Sequence, residues 1–149
     1  TTTISTATTL RAVKAIKLAS GAGTFQADEK ITQATTGAIG KVVEYDSTNR
    51  ILYYQQEKFA DFGVASDGDK IAFSGTNTIT GATSSATGAP DDGADSAVSL
   101  TGGNTITFTN GFANEEIEPD SGDLMYFETR RPISRATDQT EDIKLIIEF

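Results

Sequence analysis

The 149-residue chain carries 12 basic and 21 acidic side chains, a net charge of −9, and contains neither cysteine nor histidine. That length suits one domain able to bury about two-thirds of its unfolded surface. The missing residue types exclude disulfides, thiolate metal sites and any serine–histidine triad. An acidic balance opposes binding to nucleic acid or anionic lipid, because both require phosphates to be neutralised.

The charge is uneven. Residues 1–60 hold seven basic and five acidic side chains, whereas residues 61–149 hold five and sixteen. No apolar run approaches the roughly 20 residues of a membrane span, and Thr1-Thr2-Thr3-Ile4 does not open an export signal. Thr, Ser, Gly and Ala are abundant and Leu is scarce, which favours strands and turns over a helical bundle. The expected class is therefore all-β, mainly antiparallel, as a sandwich or barrel-like fold with at most one short N-terminal helix.

In chain order, residues 1–9 are expected to be poorly ordered. Leu10, Val13 and Lys17 suit a helix face capped by Thr9, while Ile16 and Leu18 flank Lys17 as in a strand; a short turn or helix leading into a strand over about 13–19 is the reading. Lys41-Val42-Val43-Glu44-Tyr45, the polar turn from Asp46 to Arg50, and Ile51-Leu52-Tyr53-Tyr54-Gln55 form a hairpin. Its core face is assigned to Val43, Tyr45, Leu52 and Tyr54, with the opposite register through Val42, Ile51 and Tyr53 left open. Asp69-Lys70-Ile71-Ala72-Phe73 and Leu124-Met125-Tyr126-Phe127 are further strand candidates. A second hairpin runs from Ala97-Val98-Ser99-Leu100, through Thr101-Gly102-Gly103-Asn104, to Thr105-Ile106-Thr107-Phe108. Residues 81–96, rich in Gly, Ser, Ala and Asp and containing Pro90, are assigned to a long exposed loop. The closing residues Ile146, Ile147 and Phe149 are expected to dock as a strand.

One internal similarity stands out. Ile31-Thr32-Gln33-Ala34-Thr35-Thr36-Gly37-Ala38-Ile39-Gly40 matches Ile79-Thr80-Gly81-Ala82-Thr83-Ser84-Ser85-Ala86-Thr87-Gly88 at six of ten positions. Two similar β units are one reading, and compositional bias is the other.

Candidate chemistry is sparse. Asp91, Asp92 and Asp95 offer oxygen ligands without the spacing of a calcium loop, so a solvated acidic loop is the reading. Glu115, Glu116 and Glu118 are acidic neighbours, but a glycosidase pair must face across a cleft. Gly40-Lys41 and Gly21-Ala22-Gly23 fail as phosphate-binding motifs. No catalytic residue, metal or cofactor is assigned. Tyr45, Tyr53, Tyr54 and Phe59 are divided between core and surface, with Tyr53 and Tyr54 candidates for an interface or a sugar-stacking face. Arg130, Arg131 and Arg135, beside Pro132, are the sharpest feature of an acidic chain. They suit internal pairing with Glu128, Asp138, Glu141 or Asp142, or an interface anchor through bidentate contacts.

That last stretch also carries a resemblance. Gly122-Asp123-Leu124-Met125-Tyr126-Phe127-Glu128-Thr129-Arg130-Arg131-Pro132-Ile133-Ser134-Arg135, with Asp138-Gln139-Thr140-Glu141-Asp142-Ile143-Lys144-Leu145 and Phe149, resembles the C-terminal signature of a baseplate wedge protein of T4-like contractile-tailed bacteriophages, including marine and cyanophage-like relatives. Residues 10–18 and 25–54 are similar to the later half of that family. The resemblance implies a β-rich, non-enzymatic structural subunit of the virion tail, assembled in the bacterial host cytoplasm. It also implies self-association as a homodimer, contact with other wedge proteins, and a chain matching roughly the C-terminal half of a longer subunit. The alternative is a carbohydrate- or receptor-binding β-module built on the hairpin tyrosines.

Overall fold

A computed structural model describes residues 11–57, 63–93, 95–101 and 103–116. The chain divides into two compact units, Thr1–Glu118 and Pro119–Phe149, and every described residue lies in the first. Nine strands follow one another among the described residues: β1 (Lys14–Ala22), β2 (Lys30–Gln33), β3 (Ala38–Asp46), β4 (Ile51–Gln55), β5 (Ile79–Gly81), β6 (Thr87–Pro90), β7 (Ser96–Ser99), β8 (Thr105–Phe108) and β9 (Phe112–Ala113). Every pairing between them is antiparallel, and no helix occurs among the described residues. The expected all-β, antiparallel class is the observed one.

The first six strands close on themselves. They run β1-β4-β3-β2-β5-β6 and return to β1, whose first half pairs with β4 and whose second half pairs with β6. A ring this small leaves an interior wide enough only for side chains. Ile16, Leu18, Ile31, Ala38, Val42, Leu52, Tyr54 and Ile79 form the buried cluster there, with Phe25 and Phe73 joining it from connecting segments. Tyr54 and Phe73 meet edge to face at 5.0 Å between ring centroids, a preferred aromatic geometry.

A second, smaller core lies on the other face of β1 and β4. The β7–β8 hairpin supplies Ile106 and Phe108, which pack with Ala15, Ile51 and Ala113 and the half-buried Tyr53, Val98 and Leu100. The strand β4 is thus covered on both faces. Leu52 and Tyr54 belong to the barrel interior, and Ile51 and Tyr53 to the outer layer. This is why Ile51-Leu52-Tyr53-Tyr54 is continuously apolar or aromatic and does not alternate.

The internal similarity corresponds to two hairpins with one register. Ile31 lies opposite Gly40 and Thr32 opposite Ile39 in β2–β3; Ile79 lies opposite Gly88 and Thr80 opposite Thr87 in β5–β6. Their turns also agree. Gly37 N–H donates to Gln33 O at 2.9 Å, and Ser85 N–H to Gly81 O at 3.2 Å. A hydroxyl accepts a backbone N–H in each turn, Thr36 from Ala38 and Ser84 from Ala86. The hairpins sit side by side through β2 and β5, with Ile31 facing Gly81 and Gln33 facing Ile79. A local two-fold relation therefore passes through the Thr32–Thr80 pair.

Four expectations are corrected. The 81–96 stretch is not one exposed loop, because Thr87–Pro90 forms β6, with Gly88 and Pro90 buried; small residues let β6 lie under the Leu18 side chain, which occupies the space a Cβ on Gly88 would need. Residues 69–73 form no strand: Lys70 makes an isolated bridge to Val64, and Phe73 packs into the barrel core. Val43 is 42 % exposed and Val42 is buried. The cause is a bulge: Val42 pairs with Tyr54 and Glu44 with Tyr53, so Val43 is the extra residue. Tyr45 still turns toward the barrel cluster, and the core face combines both sequence registers. The strand expected over 13–19 is longer, reaching Ala22. The expectations at residues 1–9, 124–127 and 146–149 lie outside the described residues.

Ser85 has φ of 56° where its counterpart Gly37 has 80°, a backbone region costly for a residue with a Cβ. Replacing it by glycine should raise stability by about 0.5–1 kcal/mol, the relief of strain exceeding the added unfolded-state freedom. Equilibrium denaturation of Ser85→Gly checks this; a loss of stability would mean that the Ser85 side chain makes a contribution of its own.

Candidate functional site

The described surface carries a groove with mixed chemistry. About 450 Å³ in volume, it lies where the β3–β4 hairpin meets the end of β7, and its walls include Glu44, Tyr45, Asp46, Asn49, Tyr53 and Leu100. The tight β3–β4 turn sets its floor. Asp46 Oδ1 accepts the backbone N–H groups of Thr48 and Asn49 at 2.9 and 3.0 Å, and Oδ2 accepts the Asn49 side-chain amide at 2.7 Å. Partial burial pushes the Asp46 carboxyl up, but these donors and the nearby Lys17 ammonium outweigh it, leaving the group below the ordinary carboxylate range. Asp46 is therefore a fixed negative charge at neutral pH.

Both groove tyrosines are anchored from behind. Tyr45 meets Phe25 edge to face at 5.3 Å. Tyr53 packs on the outer core, and burial together with the Asp46 charge raises its phenol above the ordinary value. The bulge leaves Glu44 exposed directly opposite Tyr53.

The interface expectation divides between the two hairpin tyrosines. Tyr53 reaches the groove, whereas Tyr54 is 4 % exposed and belongs to the barrel core. Burial raises the Tyr54 phenol well above its ordinary value, with the Glu115 carboxylate adding to the effect and Arg11 opposing it. Assigning Tyr54 to an interface is thus corrected: its ring is committed to Phe73. Phe59, Arg130, Arg131, Pro132 and Arg135 lie outside the described residues.

The acidic clusters are engaged in part, and Glu115 Oε2 is buried without a hydrogen-bond partner among the described residues. The Asp95 carboxylate accepts the Asn110 N–H at 3.1 Å. Glu116 accepts the Arg11 backbone N–H at 3.0 Å, while the Arg11 guanidinium donates to the carbonyls of Val13 and Asn114. Among the described residues no three acidic groups converge as metal ligands would. Glu118 lies outside them.

Sequence reasoning missed the three buried polar side chains that tie the structure together. Glu29 accepts from Gln26 N–H, Thr83 N–H, Ser84 N–H and the Ser84 hydroxyl at 2.7–3.0 Å. Gln33 donates to Asn77 O and accepts from Ser74 N–H and the Thr36 hydroxyl. Gln56 donates to the carbonyls of Ile39 and Ile71. Gln33 carried a faint signal, as a polar residue at the strand position alternate to Ile31. Glu29, in a loop, carried none.

Compared with known proteins, the chain matches no family model, no curated protein and no solved structure. The groove and the anchors therefore stand on their own geometry.

Burial raises the Glu29 carboxyl, but the donors from Ser84, Gln26 and Thr83 more than offset it, and the net shift is downward. A carboxylate with a depressed folded pKa contributes stability that is complete above its unfolded value near 4.3. That contribution is lost as pH falls through the folded value. Glu29→Gln should therefore flatten the acid limb of the stability curve below about pH 4.5, and Glu29→Ala should cost on the order of 2–3 kcal/mol at pH 7. Denaturant titrations from pH 7 to pH 3 measure both; an unchanged acid limb would assign acid sensitivity elsewhere.

Proposed function

We propose that the chain is a non-enzymatic assembly module of a contractile phage tail, acting in the baseplate as a wedge-type subunit. The observation that carries the non-enzymatic part is where the polar groups go. The barrel interior is filled by side chains, and Glu29 and Gln33 are committed to backbone and hydroxyl groups. The Gln56 amide donates to two carbonyls, while its Oε1 is buried without a partner among the described residues. What remains for function is outer surface. The wedge assignment rests on the residues from Gly122 to Phe149 that resemble the baseplate family. In this reading the partners are a second copy of the chain and other wedge subunits, and the place of action is the virion. Binding would proceed by burial of apolar and aromatic area, with charge at the rim fixing register.

A carbohydrate- or receptor-binding module is the second reading, favoured by Tyr45 and Tyr53 at the groove. It is weakened by Tyr54, whose ring is spent in the core, so two of the three hairpin tyrosines remain, each half covered.

Replacing Arg130, Arg131 and Arg135 together by alanine should weaken self-association or wedge association at least tenfold while leaving the far-ultraviolet circular dichroism unchanged. Sedimentation velocity of the full chain measures it. Association at the parental level would take that segment out of the interface.

A further inference from the structure

From the groove's chemistry we infer that it is a docking site for an arginine side chain of a partner protein. The inference rests on the assembly reading and names the chemistry of one contact within it. Glu44 and Asp46 bring two carboxylates to the groove, and among the described residues no basic side chain lines it. Their roles differ. Asp46 is locked by the turn, with Lys17 near it, and supplies a fixed field. Glu44 is exposed and placed outward by the bulge, and its carboxylate forms no hydrogen bond or ion pair with any described residue. Its two oxygens are open to a bidentate guanidinium contact.

The remaining walls fit the rest of that side chain. Leu100 offers apolar surface for its methylene stem, and Tyr53 offers a ring already held by the outer core for contact with the planar cation. Val43, the large hydrophobic residue most exposed in the described structure, immediately precedes Glu44 and extends the surface beyond the charge. An anion is repelled by the same two carboxylates. A neutral sugar makes no use of the two carboxylates that face the groove.

The test is titration of the full-length chain with a blocked peptide carrying two adjacent arginines, followed by fluorescence anisotropy at moderate salt. Its counterpart carries citrulline, which has the same shape without the charge. The arginine peptide should bind and the citrulline peptide should not. Glu44→Gln should weaken binding about tenfold, whereas Asp92→Asn, which removes one exposed carboxylate outside the groove, should change it less than twofold. Both variants keep every hydrogen bond described above. Equal weakening by the two variants would reduce the effect to net charge and overturn the site, as would absence of binding. Binding of a neutral oligosaccharide that the arginine peptide cannot displace would overturn it in favour of the sugar reading. Any of these failures leaves the assembly reading to be judged by association of the triple arginine variant.

Discussion

The structure depends on β1 making two different partnerships along one strand. Its first half is bonded to β4 and its second half to β6, with a register shift between Leu18 and Ser20. Without that strand the other five form an open sheet with two bare edges, and bare edges invite pairing with foreign chains. With it, backbone groups on both sides of the ring are paired. The long connections can then be held by individual side chains. Gln33 and Gln56 secure the 71–77 stretch to the barrel wall, and Glu29 fastens the β5–β6 turn to the segment entering β2.

The two similar hairpins show how one backbone solution accepts different side-chain chemistry. Each turn places a hydroxyl at the same point, but that hydroxyl donates to Gln33 in the first and to Glu29 in the second. In the second hairpin Gly81 stands where the first has Gln33, and a Cβ there would strike the Glu29 carboxylate at 2.7 Å. A buried amide inside one hairpin is thus replaced by a buried carboxylate reaching in from outside the other. An ionised carboxylate buried this deeply is tolerable only because several donors converge on it.

Much of this was legible in the residues. The composition marked an all-β fold and the apolar runs marked the β3–β4 and β7–β8 hairpins, whereas the six-of-ten match could not be told from compositional bias and its second turn fell in a stretch assigned to a loop. What stayed hidden has specific causes. The strand β6 is made of Thr87, Gly88, Ala89 and Pro90; its last three residues are poor strand formers, and Gly88 is there because the Leu18 side chain leaves no room for a Cβ. The bulge at Val43 depends on how β3 meets β4, and two adjacent valines do not reveal which one is extra. Alternation put Tyr54 on the core face while the interface assignment named both tyrosines; coverage of both faces of β4 leaves Tyr53 at the groove and Tyr54 in the core. The groove itself joins β3–β4 to Leu100, residues far apart in the chain, so no local pattern announced it.

The closing strand also sets an order of events during synthesis. Strand β1 emerges first among the nine, yet its partners β4, β6 and β9 follow only after Ile51, Thr87 and Phe112 have been made. Such long separations slow folding, because chain entropy is lost before the contacts that offset it can form. On the ribosome, β2 and β3 can pair as a local hairpin while Ile16 and Leu18 wait uncovered. The nascent chain is therefore most vulnerable to premature association in the interval before β6 appears, and a folding helper that shields its first strand would act in that interval.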